Sequence, residues 1–190
     1  TVIKERRFWE KNTSPSEVAS KAGERAIINS GVDREEIGCL INASVCRDFL
    51  EPATASLVHN ILELRQNNFV FDISNACLGV LNGMVHVANM IELGQVRAGL
   101  IVAGENGGPL VDATIKSILN DPELTRNDIK SSFASLTIAS AAAGVLLVHK
   151  DLTIHKHRLL GGCSHSASQF NKLCRGNDNS KIEINDWSPL

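Results

Sequence analysis

The sequence has no Tyr, and its 190 residues include only six Phe and two Trp. A sheet that stacks nucleotide bases needs several exposed aromatic rings, so base recognition is not expected. No excess of one charge sign exists either, because 19 basic residues face 21 acidic ones. Neither a nucleic acid nor an anionic membrane surface is implied as a partner. No apolar run approaches the length of a transmembrane span, and the charged opening TVIKERRFWEKN is unlike a signal peptide. The five cysteines, Cys39, Cys46, Cys77, Cys163 and Cys174, are odd in number and form no CxxC pair. A disulfide framework and a zinc ribbon both fit poorly, and free thiols in a reducing compartment fit better. Cytoplasmic localisation is therefore expected. The chain also opens without a Met, from which we expect an earlier segment.

What is present reads as an α/β protein. Ser14-Pro15-Ser16-Glu17 forms a capping-box pattern with Pro at the first helical position, and Gly31 should end that helix after Ser30. Ile37 to Ser44 is a short apolar run suited to a buried strand, and Phe69 to Ile73 is a second. Between them Glu51-Pro52 should open a helix running through ATASLVHNILEL. A longer, mostly buried helix is expected from Cys77 to Leu93, then a strand at Ala98 to Gly104. A helix at Leu110 to Leu119, a strand at Ala143 to His149 and a fifth strand at Thr153 to Gly161 should follow. Apolar strands alternating with amphipathic helices imply a mostly parallel sheet covered on both faces. One domain over 1–190, without a linker, is expected. The tail from Asn171 is polar and weakly patterned.

The stretch Phe71 to Gly94, FDISNACLGVLNGMVHVANMIELG, carries the chemistry. A strand ends, three residues turn, and Cys77 meets the start of a helix. Its sulfur would lie near the positive end of the helix dipole, which favours a thiolate. First-turn amides could face a developing oxyanion. Ala76, Gly79 and Gly83 leave room for close approach. A lone Cys among apolar residues can equally be an inert core thiol. The strand–turn–Cys–helix context sets the nucleophile beside that bland reading.

DISNACLGVLNGM resembles the active-site segment of β-ketoacyl-acyl-carrier-protein synthase III and its relatives, in the thiolase superfamily. Glu51-Pro52-Ala53-Thr54-Ala55-Ser56 resembles their PSTA-type segment, and LGQVRAGLIVAGEN their next helix end and strand. RDFLEPATAS, NACLG and GGCSHSASQFNKLCRGN resemble the OleA branch, which joins two fatty acyl chains head to head. The resemblance covers most of Ile28 to Lys150. It implies the N-terminal half of a thiolase-like fold, lacking its first strand. It also implies an acyltransferase that forms a carbon–carbon bond by Claisen condensation of acyl thioesters through an acyl group on Cys77. The substrate would be acyl-CoA or an acyl carrier protein, with no cofactor and no metal. In the OleA type the second acyl thioester loses an α-proton to a Glu supplied across a dimer interface, and Glu51 stands in that place. The plainer reading is that Glu51 favours the N-terminus of its helix. In synthase III itself the carbanion comes from decarboxylation of a malonyl group.

Two features depart from the family. Its members use a Cys-His-Asn trio, with the Asn in a GNTSA-like turn of the second half. None of His59, His86, His149, His155, His157 and His165 stands in a matching context. His86 reads as a hydrogen-bonded packing residue, and His149, His155, His157 and His165 as surface or loop residues. Cys163, His165 and Cys174 are too irregularly spaced for a metal site. The GDGAGA-type turn is replaced by Ala139-Ser140-Ala141-Ala142-Ala143-Gly144. These departures lead us to expect one part of a longer enzyme, completed by a second half or a homodimer partner. A non-catalytic thiolase-fold partner of an active subunit is the competing reading. An unrelated Rossmann-like domain is disfavoured, because no GxGxxG or Walker-A sequence follows a strand.

Overall fold

The computed structural model describes residues 3–155, 157–172, 174–176 and 182–184. In chain order the elements are α1 (Pro15–Ser30), β1 (Ile37–Asn42), α2 (Thr54–Ile61), β2 (Phe69–Asp72), α3 (Gly79–Glu92), β3 (Ala98–Glu105), α4 (Gly108–Leu119), α5 (Arg126–Ser131), α6 (Phe133–Thr137), β4 (Ala141–Val148), β5 (Cys174–Gly176) and β6 (Ile182–Ile184). They fall into two compact units. One comprises Glu10–Glu105 and Ala141–Gly162, the other Thr1–Trp9, Asn106–Ser140 and Cys163–Leu190.

The first unit holds a four-stranded sheet in the order β2-β1-β3-β4. β1 pairs in parallel with β2 and with β3, whereas β4 runs antiparallel to β3. β1 is buried at all six positions, as a strand covered on both faces must be. Its alternate residues feed two cores. Leu40 joins Leu100 and Val102 of β3 beneath Ala19 and Ile27 of α1 and Val58 of α2. Cys39 and Ile41 join Ile101 and Val87 of α3 on the opposite face. The sheet is thus sandwiched between an α1/α2 layer and α3. At α1 the Ser14 hydroxyl accepts from the Glu17 amide at 3.2 Å, and Gly31 closes the helix at φ 65°. Glu17 does not complete the capping box, since its carboxylate pairs with Lys21 at 2.7 Å.

Several expectations are corrected. α2 begins at Thr54 and not at Glu51, because the Asp72 carboxylate takes the Thr54 and Ala55 amides and fixes the helix start there. It ends at Ile61, and Glu63 then turns the chain at φ 51°. Residues 153–155 and 157–161 form no strand, and Ile154 and Leu160 are almost fully exposed. β4 is instead followed by a single 3-10 turn at Lys150–Leu152. α3 is not mostly buried. Only Gly79, Gly83 and Val87, a stripe at four-residue spacing, are fully buried; Val80, Met84, Met90 and Ile91 are partly buried against the same core, while Leu81 and Val85 are about half exposed. One helix can offer only one face to one sheet, so its remaining apolar side stays uncovered.

In the second unit Pro109 stands in the first turn of α4. The Arg6 guanidinium donates to the Leu136 carbonyl and lies 5.7 Å from the centre of the Phe8 ring. The backbone amide and hydroxyl of Thr125 donate to the Asp128 carboxylate at 2.8 and 2.6 Å, capping α5. β5 and β6 pair antiparallel.

Candidate active site

β1, β2 and β3 run the same way, so their carboxyl ends share one edge of the sheet, the edge where open α/β sheets form ligand crevices. Both candidate residues follow from this edge. Cys77 comes five residues after the end of β2, and Glu51 lies in the connection from β1 to α2.

Cys77 does not lie in the α-helix itself. It is the middle residue of a 3-10 turn, Ala76–Leu78, that runs into α3. Ala76 has φ 39°, in the left-handed region that an L-residue with a Cβ avoids. Such a backbone costs about 1–3 kcal/mol and persists only where its surroundings enforce it. Two contacts enforce it here. The Leu78 amide donates to the Asn75 carbonyl at 2.8 Å, and the Asn75 side-chain amide donates to that of Asn82 on α3. The turn also sits close to the sheet. A Cβ added at Gly79 would lie 2.6 Å from the Ala43 carbonyl oxygen, so only glycine fits where α3 starts against β1. The Cys77 thiol is exposed, whereas Cys39, inside β1, is buried and its thiol is pushed up to about 11 by desolvation. No side chain caps the start of α3, and no acidic residue stands in its first turn. The positive end of that helix is left unscreened beside Cys77.

The Glu51 segment is an exposed tip on anchored flanks. On the β1 side the Glu105 carboxylate accepts from the amides of Val45 at 2.6 Å and Cys46 at 3.1 Å. Asp48 accepts from the Ser16 hydroxyl at 2.7 Å and its amide at 3.1 Å. On the α2 side Asp72 accepts from Thr54 at 3.0 Å and Ala55 at 2.8 Å. Between these anchors Phe49, Leu50, Glu51 and Pro52 are exposed, and the Glu51–Pro52 bond is cis. Glu51 is therefore not the residue that caps α2. No hydrogen bond joins Glu51 to Cys77 among the described residues.

Sequence reasoning missed the buried polar chain beneath both segments. The Gly104 amide donates to the Ser44 hydroxyl at 2.7 Å, and that hydroxyl donates to the Asn42 side-chain oxygen at 2.7 Å. The Asn42 side-chain nitrogen donates to Asp72 at 3.3 Å. Asn42 is fully buried. A lone amide inside the apolar run IGCLIN was the available signal, since a buried polar group needs partners. The histidines take no part in this edge. His86 is exposed and meets the Phe71 ring edge-on at 6.2 Å instead of hydrogen-bonding within a core. His155, His157 and His165 are exposed, as is Cys163, and the Cys174 side chain lies outside the described residues.

Comparison with known proteins places this arrangement. Residues 71–163, which include Cys77, match the family of 3-oxoacyl-[acyl-carrier-protein (ACP)] synthase III. An acyl-CoA:acyl-CoA alkyltransferase from Shewanella oneidensis is 42% identical over 178 residues, covering 92% of this chain and 50% of the relative. The Xanthomonas campestris alkyltransferase is 37% identical over 175 residues, covering 92% and 52%. The structure of Xanthomonas campestris OleA with bound lauric acid and lauroyl-CoA superposes with a TM-score of 0.87 at 36% identity, over 94% of this chain and 52% of that one. The chain thus spans about half the length of the relatives it matches. The four-stranded sheet, its helical cover and these similarities together give the chain a thiolase-like fold, with residues 71–163 matching the synthase III family and most of the chain similar to part of the acyl-CoA:acyl-CoA alkyltransferases.

Proposed function

We propose that the protein is an acyltransferase that joins two acyl thioesters by Claisen condensation, with Cys77 as nucleophile and Glu51 as base. The observation that carries this reading is the exposed thiol held on a strained turn between β2 and α3. The Cys77 sulfur attacks the carbonyl of an acyl-CoA, the coenzyme A thiol leaves, and a thioester remains on Cys77. A second acyl-CoA then gives its α-proton to the Glu51 carboxylate. The resulting carbanion attacks the Cys77 thioester, which expels the Cys77 thiolate and yields a β-ketoacyl-CoA. The Gly79 amide already donates to the Ala76 carbonyl, so we assign the oxyanion to the first-turn amides of α3 that follow it.

Three further observations support the reading. The relatives include OleA structures substituted at a Cys, a Glu and a His, and the same number of positions separates that Cys from that Glu as separates Cys77 from Glu51. Counted from Cys77, the position of the OleA His falls past Leu190, and none of the six His among these 190 residues stands at that distance. Exposed apolar residues flank both candidates: Phe49 and Leu50 beside Glu51, Leu78 and Leu81 beside Cys77. We read 1–190 as a partial thiolase-fold domain whose uncovered α3 face meets a second half or a homodimer partner. The free thiols of Cys39, Cys77 and Cys163 suit a cytoplasmic enzyme.

The test is product analysis with the native protein and a long-chain acyl-CoA. A β-keto product should form with release of coenzyme A, and Cys77→Ala should abolish it. The match to synthase III favours one second reading, in which a malonyl thioester is the second substrate. Release of carbon dioxide from malonyl-ACP in step with product would replace the proton-abstraction reading by that one. Turnover unchanged by Cys77→Ala would leave only a structural role for this chain.

A further inference from the structure

We propose that Asp72 is a positioning residue that holds the Glu51 loop in register with the Cys77 turn, an inference that rests on the roles given above to Glu51 and Cys77. Asp72 is the last residue of β2, so the chain leaving it is the strand end that carries Cys77. Its two carboxylate oxygens face the other segment: one accepts from the Thr54 amide and the other from the Ala55 amide, at the point where the Glu51 loop becomes α2. The same oxygen that takes Ala55 also receives the Asn42 side chain from the neighbouring strand β1. Asn42 is fixed in turn by Ser44, and Ser44 by Gly104 of β3. A single carboxylate therefore ties the ends of two adjacent parallel strands to the start of α2. Two residues, Pro52 and Ala53, separate Glu51 from its nearest amide anchor on that side, and nothing described beyond Asp72 binds those helix amides from another element.

The geometry has a directional consequence. Cys77 is reached from Asp72 through the β2 chain itself and through the Asn75–Asn82 and Leu78–Asn75 bonds, so its turn keeps its own supports if the carboxylate is altered. The Glu51 loop has fewer, because at its α2 flank Asp72 holds both helix amides and the one other tie is the long 3.4 Å bond from the Asp48 amide to the Thr54 hydroxyl. Asp72→Asn places amide hydrogens against at least one backbone N–H that now finds an acceptor. The loop must shift, and misplacing a base by about an ångström costs about tenfold to a hundredfold in the step it serves.

The experiment compares two steps in the native protein: acylation of Cys77 by acyl-CoA, read by peptide mass spectrometry, and formation of the β-keto product. For Asp72→Asn we expect acylation within about twofold of wild type and condensation slowed by about tenfold or more. In a Glu51→Gln background the same change should slow condensation no further, since the base it positions is gone. Thr54→Pro removes one donated amide at a first helical position that proline tolerates, and gives the same split if Asp72→Asn does not fold; Thr54→Val, which keeps that amide and loses only the hydroxyl that accepts from the Asp48 amide, should not. Equal loss of both steps would make Asp72 a residue of folding alone and overturn the proposal. Unchanged condensation, or an additive loss in the Glu51→Gln background, overturns it as well. If Glu51→Gln by itself leaves condensation intact while Cys77 still acylates, the role given to Glu51 has failed first, and the positioning role goes with it.

Discussion

Gly79→Ala is the substitution that most sharply separates packing from propensity in this fold. Helix propensity alone favours it, since Ala is better than Gly by about 1 kcal/mol inside a helix. The structure says otherwise. The new Cβ would stand 2.6 Å from the Ala43 carbonyl oxygen and 3.3 Å from the Ala43 Cβ, where ordinary contact begins at 3.4 Å. The obstructing oxygen is backbone at the end of β1, so no rotamer change removes it. The start of α3 must lift from the sheet by most of an ångström, and such overpacking costs about 1–3 kcal/mol. Position 79 opens the helix, so little of the propensity gain is realised, and a net loss of about 1–2 kcal/mol is expected. Gly83→Ala is the control. Its Cβ would meet the branch methyl of buried Ile101 at 2.9 Å, a clash about 0.3 Å milder than at Gly79 and against a side chain, and its cost of about 1 kcal/mol is offset by the mid-helix gain of Ala over Gly, also about 1 kcal/mol. That variant should stay within about 1 kcal/mol of wild type. Urea unfolding of both proteins reads the difference through the midpoint at constant slope. A Gly79→Ala protein as stable as the Gly83→Ala protein would refute the close approach of α3 to β1, and with it the reason for glycine beside Cys77.

Further outcomes follow from the thiols and the caps. Iodoacetamide at pH 8 should modify exposed Cys77 and Cys163 in the native protein, and Cys39 only after denaturation; early labelling of Cys39 contradicts its burial. The Cys39 thiol is raised in the folded state from 9.0 to about 11, so unfolding releases a proton between those values. Stability should therefore fall as pH rises through that window, and Cys39→Ala should remove that part of the fall in urea titrations. Asp128 is held below the usual carboxylate range by the Thr125 hydroxyl and amide. Its cap on α5 is present above the ordinary carboxylate value and lost as pH falls through the lowered one, which the carboxyl carbon shift in an NMR titration reads directly.

The sequence made parts of this structure legible because their causes are local. Ser14, Pro15 and Gly31 bound α1 through contacts within a few residues, and the apolar runs around Leu40 and Leu100 mark strands buried on both faces. The direction of β4 was not legible, since an apolar run packs as well antiparallel as parallel and carries no mark of polarity. The uncovered face of α3 was not legible either. Val85 and Leu81 are as apolar as Val87, and only the position of the sheet decides which of them is buried. The same distinction holds at the candidate site. Cys77 declared itself by a strand, a turn and a helix that are consecutive in the chain. Asp72 did not, because its partners Thr54, Ala55 and Asn42 lie 17 to 30 positions away and meet it only once β1 and β2 pair.

The most direct measurement is peptide mass spectrometry of the Glu51→Gln protein after incubation with an acyl-CoA. With the proposed base removed and the proposed nucleophile intact, the acyl group should accumulate as a thioester on Cys77 and on no other cysteine. It should disappear in the Glu51→Gln, Cys77→Ala double variant. An acyl group on Cys46 or Cys163 instead, or none on Cys77 while product still forms, would contradict the account at its centre.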